Sequence, residues 1–194
     1  MRLLLSVFLF FITVFPANAQ DAGSEPSPIR FDRNHSTLGF NVPIVNGLSK
    51  VTGKFTDFTI DLIWNETDLT ASSVRLEIQV ESIDTGIDGR NNHLKSDDFF
   101  DVALHPTITF ESKSIRRDGL GYLADGQLTM HGVTRDVSLP LTNQTYTSDA
   151  GDSWTVFRVN YKIDRTDYGM NWKHSSVDFF VGDEIETDIV LLTR

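Results

Sequence analysis

The chain has 194 residues, with 17 basic and 27 acidic side chains and no cysteine, which gives a formal net charge of -10. Such an acidic chain is a poor partner for nucleic acid and for anionic lipid surfaces. Because no disulfide is available, the fold must be held together by its own hydrophobic core.

The first nineteen residues have the pattern of a secretory signal peptide. Arg2 supplies the positive start, residues 3–15 form a short apolar run, and Ala17 and Ala19 give the small-residue cleavage site. We therefore predict a signal peptide at residues 1–19, a disordered leader at residues 20–28 and one β-barrel domain at residues 29–194. This predicts a periplasmic protein, with secretion as the alternative. This apolar run is too short for a membrane span and no second one follows, so an integral membrane protein is not expected.

Beyond the leader, most segments alternate apolar with polar residues, which is typical of half-buried β-strands. They lie at residues 35–43, 51–64, 74–81, 108–117, 122–130, 135–146, 157–163, 176–181 and 185–191. In residues 51–64 the apolar positions change from odd to even numbers, which predicts a bulge or bend near Asp57. About eight strands of this kind must close on themselves or pair as a sandwich. We favour an all-β fold, an extended antiparallel β-barrel with room for one elongated apolar molecule.

Residues 83–110 are the one long interruption in the strand pattern. The segment has a cluster of turn residues, a polar stretch that includes Arg90 and His93, and an apolar pair at Phe99 and Phe100. Long inserts between strands are often lids or binding loops. We predict a capping loop over one end of the barrel, with a short helical turn near residues 91–96. A packed corner is the alternative.

The predicted barrel wall supplies apolar side chains to its interior. We predict that eleven of them contact a ligand in the lumen: Phe40, Phe55, Phe58, Ile60, Leu76, Ile78, Phe110, Leu128, Met130, Phe157 and Tyr161. The alternative for each is ordinary barrel core. In a barrel of this size part of the lumen can remain unfilled.

Several motifs, taken in order, resemble those of the YceI-like family, the lipocalin-like polyisoprenoid-binding proteins of the bacterial periplasm. They are His35-Ser36, Val51-x-Gly53-x-Phe55-x-x-Phe58, Ile83-Asp84-Thr85-Gly86, His93-Leu94-x-Ser96-x-Asp98-Phe99-Phe100-Asp101-Val102, Pro106-x-Ile108-x-Phe110 and Leu128-x-x-His131-Gly132-Val133-Thr134. The resemblance covers residues 29–194. It implies a lipocalin-like barrel whose apolar lumen holds a polyisoprenoid, an isoprenoid quinone or a related amphiphile. Two positions depart from the family's pattern. Family members often carry His at the position of Pro43 or next to it, and they carry Asp, directly after the Arg, at the position of Asn91. Both departures bear on how a polar head group is held.

Polar residues of the capping loop are the candidates for the ligand's head group. We expect Arg90, His93 and Asp98 at the barrel mouth, either holding the head group or fastening the loop by charge-assisted hydrogen bonds. No other cofactor is expected. Exchange of the ligand with a membrane or with a lipid donor or acceptor is consistent with this function, and a homodimer is left open.

The sequence contains no pattern that indicates an enzyme or a metal site. The five histidines have no His-x-x-x-His or His-x-His spacing, and thiolate ligands are absent. Serines are plentiful, but no Gly-x-Ser-x-Gly motif occurs. We therefore predict a binding or carrier protein with no catalytic and no metal-ligating residues. The alternatives are an enzyme acting on an isoprenoid or fatty substrate, and a ligand-free interaction or stress module.

Overall fold

The computed structural model describes residues 28–178 and 180–193, so the predicted signal peptide and nearly all of the predicted leader lie outside the described residues. The described part is all-β with one α-helix, α1 (Asp88–Lys95). Its strands are β1 (Thr37–Ile44), β2 (Ser49–Phe55), β3 (Phe58–Ile63), β4 (Ser73–Gln79), β5 (Ile83–Asp84), β6 (Thr107–Asp118), β7 (Gly121–Met130), β8 (Val133–Thr147), β9 (Ser153–Val159), β10 (Lys162–Asp164) and β11 (Glu184–Thr193).

All the strands belong to one antiparallel sheet, in the order β3-β4-β6-β7-β8-β9-β11-β1-β2-β5, with β10 paired to β11. The sheet curls into a half-barrel, which confirms the predicted fold class. Residues 29–33 run between β3 and β11. Ile29 N donates to Leu62 O of β3 at 2.7 Å, and Phe31 forms a bridge with Thr193 of β11.

The bend predicted near Asp57 is present. β2 ends at Phe55 and β3 begins at Phe58, and both of these side chains are buried. The carbonyl of Asp57 accepts a hydrogen bond from Gln79 N at 3.0 Å, which fixes the bend against β4. The two intervening residues therefore change the parity while keeping the apolar side chains of both strands on the inner face.

The predicted strand at residues 176–181 was wrong. Among the residues of this segment that the structure describes, Val181 forms an isolated bridge with Ile44, flanked by bonds from Val45 N to Phe180 O and from Gly182 N to Pro43 O. The physical reason is that β1 pairs with β11 only as far as Asn41, so a short end of β1 remains for this segment. The sheet has more strands than the predicted eight because the segments at residues 51–64 and 157–163 are each divided in two and because the short β5 is added.

Aromatic side chains fill one end of the half-barrel, which we call the aromatic end (Phe31, Trp64, Tyr122 and Phe157). The ring centroid of Trp64 lies 4.7 Å from that of Tyr122 and 5.4 Å from that of Phe157, both in edge-on geometry. Phe31 packs edge-on against Phe157 at 6.4 Å. Such packing contributes beyond the burial of area alone, so this end is a filled core. Within the described residues, no helix is both long and apolar enough to cross a membrane.

Candidate functional site

A cavity of about 360 Å³ occupies the other part of the half-barrel. Along most strands its lining residues alternate, as expected of the inner face of a sheet. On β7, for example, Leu128 and Met130 line the cavity, whereas Tyr122 of the same face belongs to the aromatic end. The cavity therefore begins where the aromatic packing stops.

Strands throughout the sheet contribute apolar side chains to the cavity. The lining comprises, among others, Leu38, Val42, Ile44, Val51, Ile83, Leu94, Ile108, Leu139, Val159, Ile163, Met170, Phe180, Ile185 and Ile189. The polar side chains are few: Arg90, His93, Tyr161, Arg165, Trp172 and Thr187. A mostly apolar pocket with a few polar groups is the usual form of a small-molecule site.

Eight of the eleven predicted lumen residues line this cavity: Phe40, Phe55, Leu76, Ile78, Phe110, Leu128, Met130 and Tyr161. The other three predicted positions, Phe58, Ile60 and Phe157, do not. Phe58 and Ile60 lie on β3, where the Arg33 guanidinium covers the Phe58 ring at 5.4 Å. Phe157 is 1% exposed within the aromatic end. These three side chains pack as ordinary core, because β3 and the aromatic end lie beyond the cavity wall.

A series of aromatic ring contacts connects the wall of the cavity to the predicted capping loop at residues 83–110. The ring centroid of Phe55 lies 5.6 Å from that of Phe40 and 6.1 Å from that of Phe100. Phe40 is the cross-strand partner of Gly53, and a Cβ at residue 53 would come within 2.8 Å of Phe40 Cε2. The glycine therefore gives the Phe40 ring the space it occupies.

The helical turn predicted near residues 91–96 is α1. A small hydrogen-bond network connects its first residues to Thr85, which directly follows β5. Arg90 donates through Nε to Thr85 Oγ1 at 2.8 Å and through Nη2 to Thr85 O at 2.7 Å. Asn91 Oδ1 accepts from Thr85 N at 2.9 Å and from Thr85 Oγ1 at 2.6 Å. Thr85 is buried, so Arg90 and Asn91 satisfy its backbone N–H, its carbonyl and its hydroxyl group, which have little access to water.

His93 of α1 lies at the cavity with an acidic partner. Its Nε2 is 2.8 Å from Asp98 Oδ2, and its ring packs edge-on against Phe99 and Trp172 at 5.1 and 5.2 Å. His93, Phe99 and Trp172 line the cavity, while Asp98 does not. Of the three predicted mouth residues, Arg90 and His93 therefore reach the cavity, and Asp98 acts on His93 from outside it. We call the part of the cavity lined by Arg90, His93, Ile44 and Val181 the mouth.

Arg165 is a cavity residue that the sequence did not reveal. Its side chain is only 4% exposed, yet it donates to Gly182 O at 3.1 Å, to Met170 O, and to Asp183 Oδ1 at 2.6 Å. These acceptors stabilise the buried charge. In the sequence Arg165 stands in a polar run after β10, so nothing local distinguishes it from a solvated residue. Val42 and Ile44, in contrast, share the parity of Phe40 and could have been found.

Three further histidines, His35, His105 and His131, make contacts within the fold. His131 bonds through Nδ1 to Tyr168 O at 2.9 Å, and its ring packs against that of His105 at 4.8 Å. His35 pairs with Asp32 at 2.9 Å, and this pairing lowers the pKa of the Asp32 carboxyl. Among the described residues, no group of three or more His, Cys, Asp or Glu side chains is placed to hold a metal ion.

Comparisons with known proteins agree with this architecture. The YceI-like domain model matches residues 30–192. A UPF0312 protein of Pectobacterium atrosepticum is 31% identical over 139 residues, which are 71% of this chain and 70% of that protein.

Solved structures share the fold. BcnA of Burkholderia cenocepacia superposes with a TM-score of 0.73 at 22% identity, over 85% of this chain and all of that one. A polyisoprenoid-binding domain from Saccharophagus degradans, implicated in plant cell wall breakdown, gives 0.62 at 19% identity, over 86% of this chain and 97% of that one. With the family model spanning the whole half-barrel and its capping loop, the chain belongs to the YceI-like family.

Proposed function

We propose that this protein binds one long-chain amphiphile, a polyisoprenoid, an isoprenoid quinone or a similar lipid, and carries it through the periplasm. The observation that supports the proposal most is the cavity of about 360 Å³, whose lining is almost wholly apolar and whose polar groups include Arg90 and His93 at the mouth. The family membership and the name of the Saccharophagus degradans domain agree with a lipid ligand.

Burial of the ligand's chain provides the binding free energy. Each CH₂ group removed from water contributes about 0.8 kcal/mol before the cost of ordering the chain. An apolar tail in contact with Leu76, Ile78 and Leu128 therefore needs few polar contacts to be retained. The polar head group lies at the mouth, within reach of the Arg90 and His93 side chains.

Binding is favoured over catalysis because the ionic groups around the cavity are already engaged with the protein. Arg90 is held by Thr85, His93 by Asp98, and Arg165 by two carbonyls and Asp183. Groups in such networks orient a ligand, whereas a hydrolase needs a nucleophile beside its base. Conversion of a bound lipid to a product by the purified protein would contradict this assignment.

Trp172 gives a direct readout of ligand entry, because its ring lines the cavity, whereas Trp64 lies in the aromatic end and Trp154 stacks on Tyr146 at 6.0 Å. We expect delipidated protein titrated with an isoprenoid quinone to show saturable quenching of tryptophan fluorescence. Trp172→Phe should remove most of the change, and Trp154→Phe should retain it. Equal quenching in both variants would overturn binding in this cavity.

Export to the periplasm rests on the signal pattern at residues 1–19. Cell fractionation with mass spectrometry of the intact protein tests it. We expect a chain that begins at Gln20 in the periplasmic fraction. A full-length chain in the cytoplasm would contradict the carrier function in this compartment.

A further inference from the structure

The basic side chains that line the cavity differ in how their charge is balanced. Two of them have a carboxylate partner: His93 pairs with Asp98, and Arg165 pairs with Asp183. Arg90 donates instead to the hydroxyl and the carbonyl oxygen of Thr85, which are uncharged. Among the residues that the structure describes, no carboxylate forms an ion pair with Arg90. The described part of the fold therefore leaves this cavity cation without a counter-ion.

The acidic residues that precede Arg90 in the capping loop do not supply the counter-ion. Asp84, the last residue of β5, accepts from Gly86 N at 2.8 Å and is the cross-strand partner of Lys54. Asp88, two residues before Arg90 in α1, is exposed, and helix residues two positions apart do not face each other. Exposed charges are screened by water and salt, so these carboxylates balance the guanidinium only weakly.

The Arg90 guanidinium also has more N–H donors than Thr85 uses. Thr85 accepts from Nε at 2.8 Å and from Nη2 at 2.7 Å, while Nη1 has no acceptor among the described residues. Thr85 is buried and holds one edge of the guanidinium, so the side chain is fixed where it lines the cavity. A planar guanidinium with unused donors can bind two oxygen atoms of one carboxylate or phosphate.

Partial burial strengthens the effect of this charge. Arg90 is half-buried, and the same loop contributes apolar side chains to the cavity lining, among them Leu94, Phe99 and Phe100. The attraction between opposite charges increases as the local dielectric constant falls. A neutral head group would leave the half-buried cation uncompensated, which is unfavourable. The mouth is therefore better suited to an anionic head group than to a neutral one.

We propose that the protein selects amphiphiles whose head group is anionic, a phosphate or a carboxylate, with Arg90 as the counter-ion. The inference rests on the proposed function for the apolar tail and adds the charge of the head group. An isoprenoid quinone, which is neutral, is then a weaker ligand than an anion with a similar tail. Phosphate and carboxylate present the same paired oxygen atoms, and the experiment distinguishes them.

Three ligands that share one tail test the proposal: geranylgeraniol, geranylgeranoic acid and geranylgeranyl phosphate. Isothermal titration calorimetry with the delipidated protein at neutral pH gives the affinity for each. The acid or the phosphate should bind about tenfold more tightly than the alcohol, as expected when a hydrogen bond gains a charged partner. The anion that binds more tightly identifies the head group.

The chain offers a substitution that changes the charge beside Arg90 and little else. Asn91 Oδ1 accepts from Thr85 N at 2.9 Å and from Thr85 Oγ1 at 2.6 Å, and an aspartate oxygen can accept the same bonds. Arg90 Nε bonds to the same hydroxyl, so Asn91→Asp places a negative charge next to the guanidinium. The ratio of anion affinity to alcohol affinity should then fall to near unity. Asn92→Asp adds the same charge at the exposed neighbour in α1 and should preserve the ratio.

Arg90→Gln removes the positive charge and keeps a donor for Thr85, so it should also bring the ratio of anion affinity to alcohol affinity to near unity. Urea denaturation shows whether each variant is folded. The Asn91→Asp and Asn92→Asp pair decides the question if Arg90→Gln does not fold.

Equal affinities for the alcohol and both anions in the unmodified protein would overturn the charge preference and leave the proposed function intact. An anion preference that Asn91→Asp and Asn92→Asp retain equally would overturn the role of Arg90, because the anion would then bind elsewhere. Absence of binding by all three ligands would overturn the inference together with the proposed function.

Discussion

Phe40 and Gly53 are opposite each other on β1 and β2, and the Phe40 ring occupies the space where a side chain at residue 53 would lie. The Phe40 ring packs against the ring of Phe55, which in turn packs against the ring of Phe100. These contacts connect the Phe40–Gly53 pair to the capping loop. The packing of the cavity wall therefore depends on a residue that has no side chain.

Gly53→Ala should destabilise the fold, because the added Cβ would lie within 2.8 Å of Phe40 Cε2. Overpacking of this kind costs about 1–3 kcal/mol in the free energy of unfolding. Urea denaturation measures it. Gly89→Ala in α1 is the control, because a Cβ there meets nothing within 4 Å, and a neutral or slightly stabilising effect is expected. Equal effects of the two changes would contradict the packing described.

Leu76→Asp should abolish retention of the amphiphile, because a carboxylate in the apolar cavity either stays charged at high cost or must take up a proton. Leu76→Ala should weaken binding less, since it only enlarges the space. Fluorescence quenching by the quinone compares the two variants. Glu77→Ala, on the outer face of the same strand, should bind normally. Full binding by the Leu76→Asp variant would place the ligand elsewhere.

Phe157→Ala should lower the free energy of unfolding by about 3–5 kcal/mol, the usual cost of removing a buried phenyl ring. Because Phe157 packs in the aromatic end and does not line the cavity, the quinone affinity of the folded fraction should change little. Thermal denaturation and quenching at low temperature separate the two quantities. A large loss of quinone affinity in protein that remains folded would show that Phe157 contacts the ligand, as the sequence analysis predicted.

Arg90→Ala should speed release of the amphiphile severalfold, because it frees Thr85 from two charge-assisted hydrogen bonds that hold the start of α1. The fold should remain intact. Stopped-flow transfer of the quinone to vesicles gives the release rate, and Asn92→Ala, the exposed neighbour in α1, serves as the control. Unfolding of the Arg90→Ala variant would show instead that this residue is structural.

The protein should lose stability at alkaline pH in part through Tyr122. Burial, together with its hydrogen bond to Glu66, raises the pKa of the Tyr122 hydroxyl. The folded state then keeps a proton that the unfolded state loses above its ordinary pKa of about 10. The free energy of unfolding should therefore fall as the pH rises above that value. Tyr122→Phe should flatten this part of the profile, and an unchanged slope would assign the loss to other groups.

The alternation of side chains predicted much of the fold and of the cavity wall. Leu128 and Met130 could be assigned inward because a strand exposes every second residue on each face. The same rule could not distinguish Phe110, which lines the cavity, from Phe157, which fills the aromatic end. That difference depends on position along the barrel axis, which is set by strand register.

Arg165 and the segment at residues 176–181 show where local patterns fail. Arg165 is buried among acceptors that include Gly182 and Asp183, 17 and 18 residues further along the chain. The alternation in residues 176–181 resembles a strand, yet pairing requires a free partner, and only a short end of β1 is available. Both outcomes are set by tertiary contacts that a single stretch of sequence does not encode.

The most direct test of the account is extraction and mass spectrometry of lipid from the protein purified from its native host without detergent. The account predicts one amphiphile per chain, with a long apolar tail, and its absence from Leu76→Asp protein prepared in the same way. Unmodified protein that carries no lipid, and that does not take up quinone when it is supplied, would contradict the carrier function.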